Sequence, residues 1–187
     1  MYDEHFELQH ILLEIKAERW HAIERFLFPY YCYRHRLVTR HGKPDWNLAR
    51  DQLPRSSKVT RSKQSVIEPL VPEPSVVGLL KGFWKDNENI TLEQLECLLA
   101  TWLEYVVISK EELKALKQAG LEKSMPSEWY QTDQPTLGAR FDKVGNRVGG
   151  GLTASVLSHH RTSVGRIRRF QGIPTFVGLD SLFNSDA

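Results

Sequence analysis

Histidine and cysteine side chains offer the widest choice of chemistry in this chain. Cys32 and His35 have a spacing that one metal ion can use, and His159 and His160 could complete such a site. No second cysteine pair accompanies them, and adjacent histidines in a helix point in different directions. We therefore expect neither a metal site nor a cofactor.

A divalent-metal nuclease is the enzymatic alternative. Pro44-Asp45 matches the start of a nuclease signature, and Glu112-Leu113-Lys114 matches its second half. The gap between the halves is long, and the second half lies in a charged helix where such triplets are common. We name no catalytic residue and favour a non-catalytic protein. A nuclease or another hydrolase that uses His, Asp or Glu residues is kept as an alternative.

The composition is typical of a globular protein. The chain has 187 residues, of which 41% are hydrophobic and 26% charged, which excludes wholesale disorder and low complexity. No run approaches the roughly 18 consecutive apolar residues of a membrane span, so we expect no membrane partner. The polar amino terminus does not resemble a secretory signal. Two cysteines cannot build a disulfide framework, which favours a cytoplasmic location.

Charge is distributed in blocks of opposite sign. Residues 1–33 carry a net charge of −3, residues 34–67 of +7, residues 68–133 of −6 and residues 134–187 of +4. The cations of the third block are all lysine, whereas arginine dominates in the second and fourth. Arginine presents a planar fork that suits phosphate and carboxylate groups. The blocks either pack against one another or leave two arginine-rich surfaces open.

An arginine-rich surface open to solvent would favour nucleic acid. Residues 30–40 are aromatic and β-branched and predict a strand or extended arm, in which alternate arginines share one face and follow a phosphate backbone. Nearby tyrosines could stack on unpaired bases, and a late helix would supply a second basic face. The candidate nucleic-acid-binding residues are Arg34, Arg36, Arg40, Arg55, Lys58, Arg61, Lys63, Arg161, Arg168, Arg169, Tyr31 and Tyr33.

Apolar spacing and capping signals predict a single domain over residues 1–187 that is mainly α with minor β (α+β), a compact helical domain with a basic extended arm. We expect residues 1–49 to form a helix over 4–28, ended by Pro29, and then the strand-like segment, and residues 50–75 to form a basic arm or surface loop. Residues 76–120 should form a helical core and residues 121–151 an irregular part. Residues 152–187 should form a basic helix to residue 170 and an edge strand at 173–177. Within the core we expect a buried helix at 76–84 and a helical hairpin of 92–106 and 110–119, and in the irregular part short strands around 138–148 and a glycine hinge at 149–151.

Together these patterns favour a non-catalytic nucleic-acid-binding accessory subunit of an intracellular nucleic-acid-processing or ribonucleoprotein complex, with RNA and DNA equally open. Other protein subunits are the second expected class of partner. A protein-only adaptor is the main alternative, because tyrosine, tryptophan and arginine are common at interface hot spots. Its contacts would map to the aromatic residues near Trp84, Trp129 and Tyr130.

Overall fold

A computed structural model describes residues 3–59, 65–87 and 89–146 of the protein. These ranges contain α-helices, two short 3-10 turns and one two-stranded antiparallel sheet. The helices are α1 (Asp3–Lys16), α2 (Glu24–Arg34), α3 (Trp46–Gln52), α4 (Glu73–Asn87), α5 (Leu92–Trp102), α6 (Lys110–Gln118) and α7 (Ala139–Lys143), the strands are β1 (Ser65–Pro69) and β2 (Tyr105–Ser109), and the turns are Trp20–Ala22 and Ser127–Gln131. The predicted class, mainly α with minor β, is confirmed.

The main core lies between α1, α2, α4 and α5. Leu8, Ile11 and Ile15 recur at helical spacing on α1 and are at most 5% exposed, which gives that helix one buried face. They belong to the same cluster as Leu80 of α4 and Leu95 of α5. Burial of these faces, more than intrinsic helix propensity, stabilises the helices.

Strand β2 separates the main core from a second, smaller one. It pairs with β1 in antiparallel register, with Ile67 opposite Val107, and all five of its residues are buried. Side chains alternate between the faces of a strand, so Val107 joins the main core while Val106 and Ile108 face Leu116 of α6. Burial on both faces explains why this strand is a continuous apolar run.

The segment after α3 is attached to the free edge of β2. The Val107 N–H donates to the Pro54 carbonyl at 2.8 Å, and the Ser56 N–H donates to the Val107 carbonyl at 2.9 Å. The Ser56 hydroxyl also donates to a carboxylate oxygen of Glu112 on α6 at 2.6 Å. These bonds fix the path of the chain beside the sheet.

Three local predictions are confirmed. Both capping boxes are formed, with Thr91 and Gln94 at the start of α5 and Ser109 and Glu112 at the start of α6. Gly120 follows α6 with a φ of +70°, the left-handed conformation that favours glycine at this position. The buried helix predicted at 76–84 exists and is longer in both directions, as α4.

The single helix predicted over residues 4–28 is wrong. The chain leaves the helix after Lys16 and reverses through Glu18, whose φ is +52°, before α2 begins. Pro29 does not end a helix but lies inside α2. An interior proline is costly because it removes a backbone hydrogen bond, but the residues that follow it are deeply buried, and their packing keeps the segment helical.

The strand or extended arm predicted over residues 30–40 is also wrong. Residues up to Arg34 complete α2, and Arg36 has a φ of +57°, which no strand adopts. Tyr30, Tyr31 and Cys32 are almost fully buried in the main core. Tertiary burial of this aromatic run overrides its intrinsic preference for strands.

Residues 50–75, predicted as an arm or surface loop, include the end of α3, strand β1 and the start of α4, and within the described residues of this range only 53–59 and 70–72 lie outside these elements. The helical hairpin predicted from 92–106 and 110–119 is wrong because α5 ends at Trp102 and β2 intervenes. Of the strands predicted around 138–148, the described part up to residue 146 contains α7 and no strand. The predicted glycine hinge, late helix and edge strand lie outside the described residues.

Candidate nucleic-acid interface

Three exposed cations lie together in one loop between α2 and α3, residues 36–45, which we call the basic loop. The Thr39 N–H donates to the Lys43 carbonyl at 2.8 Å, and the Asp45 N–H donates to the Leu37 carbonyl at 2.9 Å. Gly42, with a φ of +75°, completes the reversal. This closure holds the ends of the loop together and projects its tip away from the core.

The cations of the basic loop are Arg36, Arg40 and Lys43, and all three are exposed. Within the described residues none of them forms an ion pair with a carboxylate. Arg40 donates through Nε to Nε2 of His41 at 3.0 Å, a bond that requires this nitrogen to be unprotonated. The loop is therefore a small surface of uncompensated positive charge.

The acidic residue at the end of the basic loop, Asp45, makes its hydrogen bonds to the helix that follows. Asp45 caps α3, and one of its carboxylate oxygens accepts the N–H groups of Asn47 and Leu48 at 3.0 Å each. A carboxylate at this position interacts with the positive end of the helix dipole. Asp45 is thus oriented toward the α3 backbone by two hydrogen bonds.

Arg55 and Lys58 lie beyond α3, on the segment attached to β2, and both are exposed. Arg55 donates to the Arg50 carbonyl at 3.0 Å and approaches the exposed Asp51 carboxylate at 3.4 Å. Lys58 donates to the side-chain oxygen of Asn146. An exposed ion pair such as that of Arg55 is weak and screened by salt, so this segment continues the positive surface.

Arg34 is less available than the sequence pattern predicts. It is the last residue of α2, is half-buried and donates to the Tyr30 hydroxyl at 2.9 Å. Its charge also acts on Glu104, where it partly opposes the rise in pKa that burial causes in that carboxyl group. Arg34 therefore interacts with buried side chains and is only partly available at the surface.

The two candidate stacking tyrosines are placed on a helix rather than on an extended segment. Tyr31 is 4% exposed, donates to a Glu104 carboxylate oxygen at 3.3 Å and contacts the Tyr105 ring edge-on. Burial raises the pKa of its hydroxyl well above the ordinary value. Tyr33 is half-buried. These surroundings give no support to base stacking by Tyr31.

Several cations elsewhere in the described chain are paired with carboxylates. Glu14, which is 6% exposed, accepts from Arg19 at 2.6 Å and lies 3.5 Å from Arg25. The hydrogen bond from Arg19 holds the pKa of Glu14 below its ordinary value. The remaining pairs are Lys117 with Glu122, Lys143 with Glu128 and Arg140 with Glu68. The basic loop differs from these pairs because it groups three exposed cations that have no carboxylate partner in the described residues.

In the described ranges, the residues that suggested enzymatic chemistry contribute to the packing and capping of the fold. Cys32 is fully buried, and burial raises the pKa of its thiol to about 12, so the reactive thiolate is disfavoured. Glu112, the carboxylate of the nuclease-like triplet, caps α6. No cluster of three His, Cys, Asp or Glu side chains able to hold a metal occurs among the described residues.

The aromatic surface expected for a protein-only adaptor is not formed by Trp129 and Tyr130. Trp129 is 5% exposed and packs edge-on against Trp102. Tyr130 is half-buried, with its hydroxyl 3.0 Å from that of Ser75. Trp84 is half-buried and borders a surface cavity.

Sequence reasoning missed two features of this region. Lys43 was counted as a cation but not as a site residue, although its place in a Gly-Lys-Pro turn signals exposure. Trp46 begins α3 and is 55% exposed, with its ring stacked on Phe28 at 3.9 Å; no sequence signal separates it from a core tryptophan. The candidates outside the described residues are Arg61, Lys63, Arg161, Arg168 and Arg169, together with His159 and His160.

Among the described residues, no helix combines the length and apolar character needed to cross a bilayer. The chain has no significant match to a protein-family model, a curated protein or a solved structure. The exposed cations and the cavities of the described fold are therefore the features that bear on function.

Proposed function

We propose that the protein is a non-catalytic nucleic-acid-binding accessory subunit of a nucleic-acid-processing or ribonucleoprotein complex. It binds the phosphate backbone through the exposed cations on either side of α3. The observation that carries the proposal is the grouping of three exposed cations, Arg36, Arg40 and Lys43, in one closed loop where none of them forms an ion pair with a carboxylate within the described residues.

Uncompensated exposed cations are what phosphate binding requires. A nucleic acid that is neutralised by such groups releases its condensed counterions, and this release supplies sequence-independent affinity. Arg36 and Arg40 can each present a planar fork to one phosphate, while Lys43 acts as a point charge. Because the loop is closed by backbone hydrogen bonds, little backbone entropy is lost on binding.

The spacing of the two basic segments suits a phosphate backbone. Helix α3, Trp46–Gln52, separates the basic loop from Arg55 and Lys58 and is about 10 Å long at 1.5 Å per residue. Phosphates of one strand in a duplex recur about every 3.4 Å along the axis, so this distance corresponds to roughly three phosphates. A nucleic acid that follows α3 would contact both segments.

The proposal predicts a specific change in salt dependence. The variant carries Arg36→Ala, Arg40→Ala and Lys43→Ala, and binding of the full chain to a labelled single strand and its duplex is followed by fluorescence anisotropy. The slope of log affinity against log salt changes by about 0.7 per lost phosphate contact on a single strand and about 0.9 on a duplex. Loss of three contacts should therefore weaken the slope by about 2 and about 2.7 respectively.

A matched control removes the same charge elsewhere. Lys110, Lys114 and Lys123 are exposed and form no ion pair in the described part of the chain, and their triple replacement by alanine should leave the slope nearly unchanged. Equal losses in the two triple variants would show a general charge effect and contradict an interface at the basic loop. A wild-type affinity that does not depend on salt, or no binding at low salt, would overturn the proposed function and favour the protein-only adaptor.

A further inference from the structure

A surface cavity of about 370 Å³ lies where the end of α1 meets α4. Its walls are formed by Glu18, Trp20, Lys81, Trp84 and Lys85. Two indole rings and two ammonium groups thus border one concave site, and this site is separate from the basic loop. The volume is near the lower end of the roughly 300–1,000 Å³ typical of ligand pockets.

The fold explains how these residues come together. Lys81, Trp84 and Lys85 are separated by three and four positions on α4, so they share one face of that helix. The opposite wall depends on the chain reversal after α1, where the left-handed Glu18 leads into the turn that begins with Trp20. Helices α1 and α4 are in contact, which sets the width of the cavity.

The cavity lining has an excess of positive charge, because it holds two lysines and one glutamate. Trp20 and Trp84 are half-buried, and neither stacks on another aromatic ring there. Lys81 and Lys85 form no ion pair with a carboxylate in the same ranges. Glu18 is the acidic side chain of the lining, and it favours the placement of an anion on the lysine side.

We propose that this cavity binds an unpaired base of single-stranded nucleic acid, with the base against the indole of Trp84 or Trp20 and the flanking phosphates at Lys81 and Lys85. Stacking platforms combined with nearby cations are the usual means of holding single strands without sequence preference. A base inside a duplex has both faces covered by its neighbours and would not enter. The inference rests on the proposed function and assigns it a substrate class, single-stranded over double-stranded.

The cavity and the basic loop lie at opposite ends of α2. The turn that contributes Trp20 precedes α2, and the basic loop follows it. The 11 residues of α2 span about 16 Å at 1.5 Å per residue. A strand of several nucleotides can therefore reach from the cavity to the basic loop, so that both sites bind the same molecule.

The test compares aromatic and charge variants of the full chain on an oligoadenylate single strand and on a duplex. Replacement Trp84→Ala should weaken single-strand binding roughly 5- to 150-fold, the range measured for loss of one base–aromatic stack, and leave duplex binding unchanged. Trp84→Phe should retain much of the affinity. The double replacement Lys81→Ala and Lys85→Ala should weaken the salt slope on the single strand by about 1.4.

The matched aromatic control is Phe6→Ala, because Phe6 is 42% exposed on α1 and belongs neither to the cavity nor to the basic loop. Its replacement should leave single-strand affinity unchanged. Circular dichroism of each variant checks the fold, since Trp84 also packs against the main core. Quenching of tryptophan fluorescence by the oligonucleotide, reduced in Trp84→Ala, reports the stack directly.

The outcomes separate this inference from the function on which it rests. Wild-type binding that is lost in the basic-loop variant but unchanged in Trp84→Ala and in the double lysine variant would overturn the cavity assignment alone. Equal losses on single strand and duplex would also overturn it. Absence of any binding by the wild type would overturn the proposed function. Adenosine monophosphate bound more tightly than the oligonucleotide would show a free nucleotide as the ligand and contradict a strand-binding site.

Discussion

Replacement of Arg140 by methionine is expected to lower the free energy of unfolding by about 3–5 kcal/mol, the usual cost of breaking a buried ion pair from one side. The Arg140 side chain is completely buried at the start of α7. Its guanidinium donates to a Glu68 carboxylate oxygen at 2.8 Å and to the carbonyls of Leu121 at 2.9 Å and Leu70 at 3.1 Å. One side chain thereby joins α7, the end of β1 and the segment after α6.

The magnitude follows from the bonds that methionine cannot replace. Each hydrogen bond to a charged group contributes about 1.5–3 kcal/mol, and each buried acceptor left unpaired costs about 1–3 kcal/mol. A simple sum overshoots, because removal of the guanidinium also removes its desolvation penalty. Burial lowers the pKa of Arg140, which reflects that penalty, and the Glu68 charge opposes the shift.

A second replacement, Glu68→Gln, is expected to change the free energy of unfolding in opposite directions with and without Arg140. In the wild type it should destabilise, because it weakens the pair with Arg140. In the Arg140→Met background it should stabilise, because it removes a half-buried carboxylate whose pKa burial already raises. Urea unfolding followed by circular dichroism measures all four proteins, and an unchanged m-value shows that the same surface is exposed.

The matched control is Lys143→Met on the same helix, where an exposed Lys143 pairs with an exposed Glu128 at 2.7 Å. An exposed pair contributes about 0–1 kcal/mol, so this variant should be nearly as stable as the wild type. A cost below about 1 kcal/mol for Arg140→Met, or the same effect of Glu68→Gln in both backgrounds, would refute the reasoning.

Two further predictions concern stability. Gly120→Ala should destabilise the protein by about 1–2 kcal/mol, because Gly120 has a φ of +70°. Gly78→Ala should stabilise it by about 0.5–1 kcal/mol, because Gly78 lies within α4 and has open space around it. Thermal unfolding measures both changes in stability, and changes of the same sign would contradict the reasoning from backbone conformation. Burial raises the pKa of Glu73, so the stability that this carboxyl group contributes is present below its ordinary pKa of 4.5 and is lost as pH rises through the folded-state pKa. The Glu73→Gln variant should therefore be more stable than the wild type at pH 7 and equally stable in acid. A variant that is less stable than the wild type at pH 7 would count against this reasoning.

Local signals in the sequence predicted local structure well. The spacing Thr91 to Gln94 and Ser109 to Glu112 identified the starts of α5 and α6, since both bonds of a capping box form within four residues. Gly120 marked the end of α6 for a similar reason. Such patterns depend on neighbouring residues only, so no tertiary information is needed.

Long-range packing decided the elements that were mispredicted. The run from Tyr30 to Cys32 resembles a strand, but its aromatic rings fill the core between helices and therefore continue α2. The helix predicted over 92–106 included Tyr105 and Val106, yet these residues begin β2, whose partners β1 and the segment beyond α3 precede it by many residues. Burial on both faces of a short element leaves no periodicity that distinguishes helix from strand.

The candidate site was predictable in composition but not in arrangement. The excess of cations between residues 34 and 67 was evident from the sequence, and the exposure of Arg36 and Arg40 agrees with it. The grouping with Lys43 depends on a turn closed by tertiary context. The cavity beside Trp84 joins residues more than 60 positions apart and has no signature in the chain.

Glu112 shows how a local cap can also organise a distant part of the chain. One of its carboxylate oxygens accepts the Ser109 N–H that completes the capping box at 2.8 Å, and the same oxygen accepts the Ser56 hydroxyl at 2.6 Å. Glu112 therefore links the first turn of α6 to residues 54–56 beside β2 through one oxygen atom, and replacement of this side chain would remove both contacts. The exposed cations Arg55 and Lys58 flank this serine, so a change in the cap of α6 would also act on one basic segment.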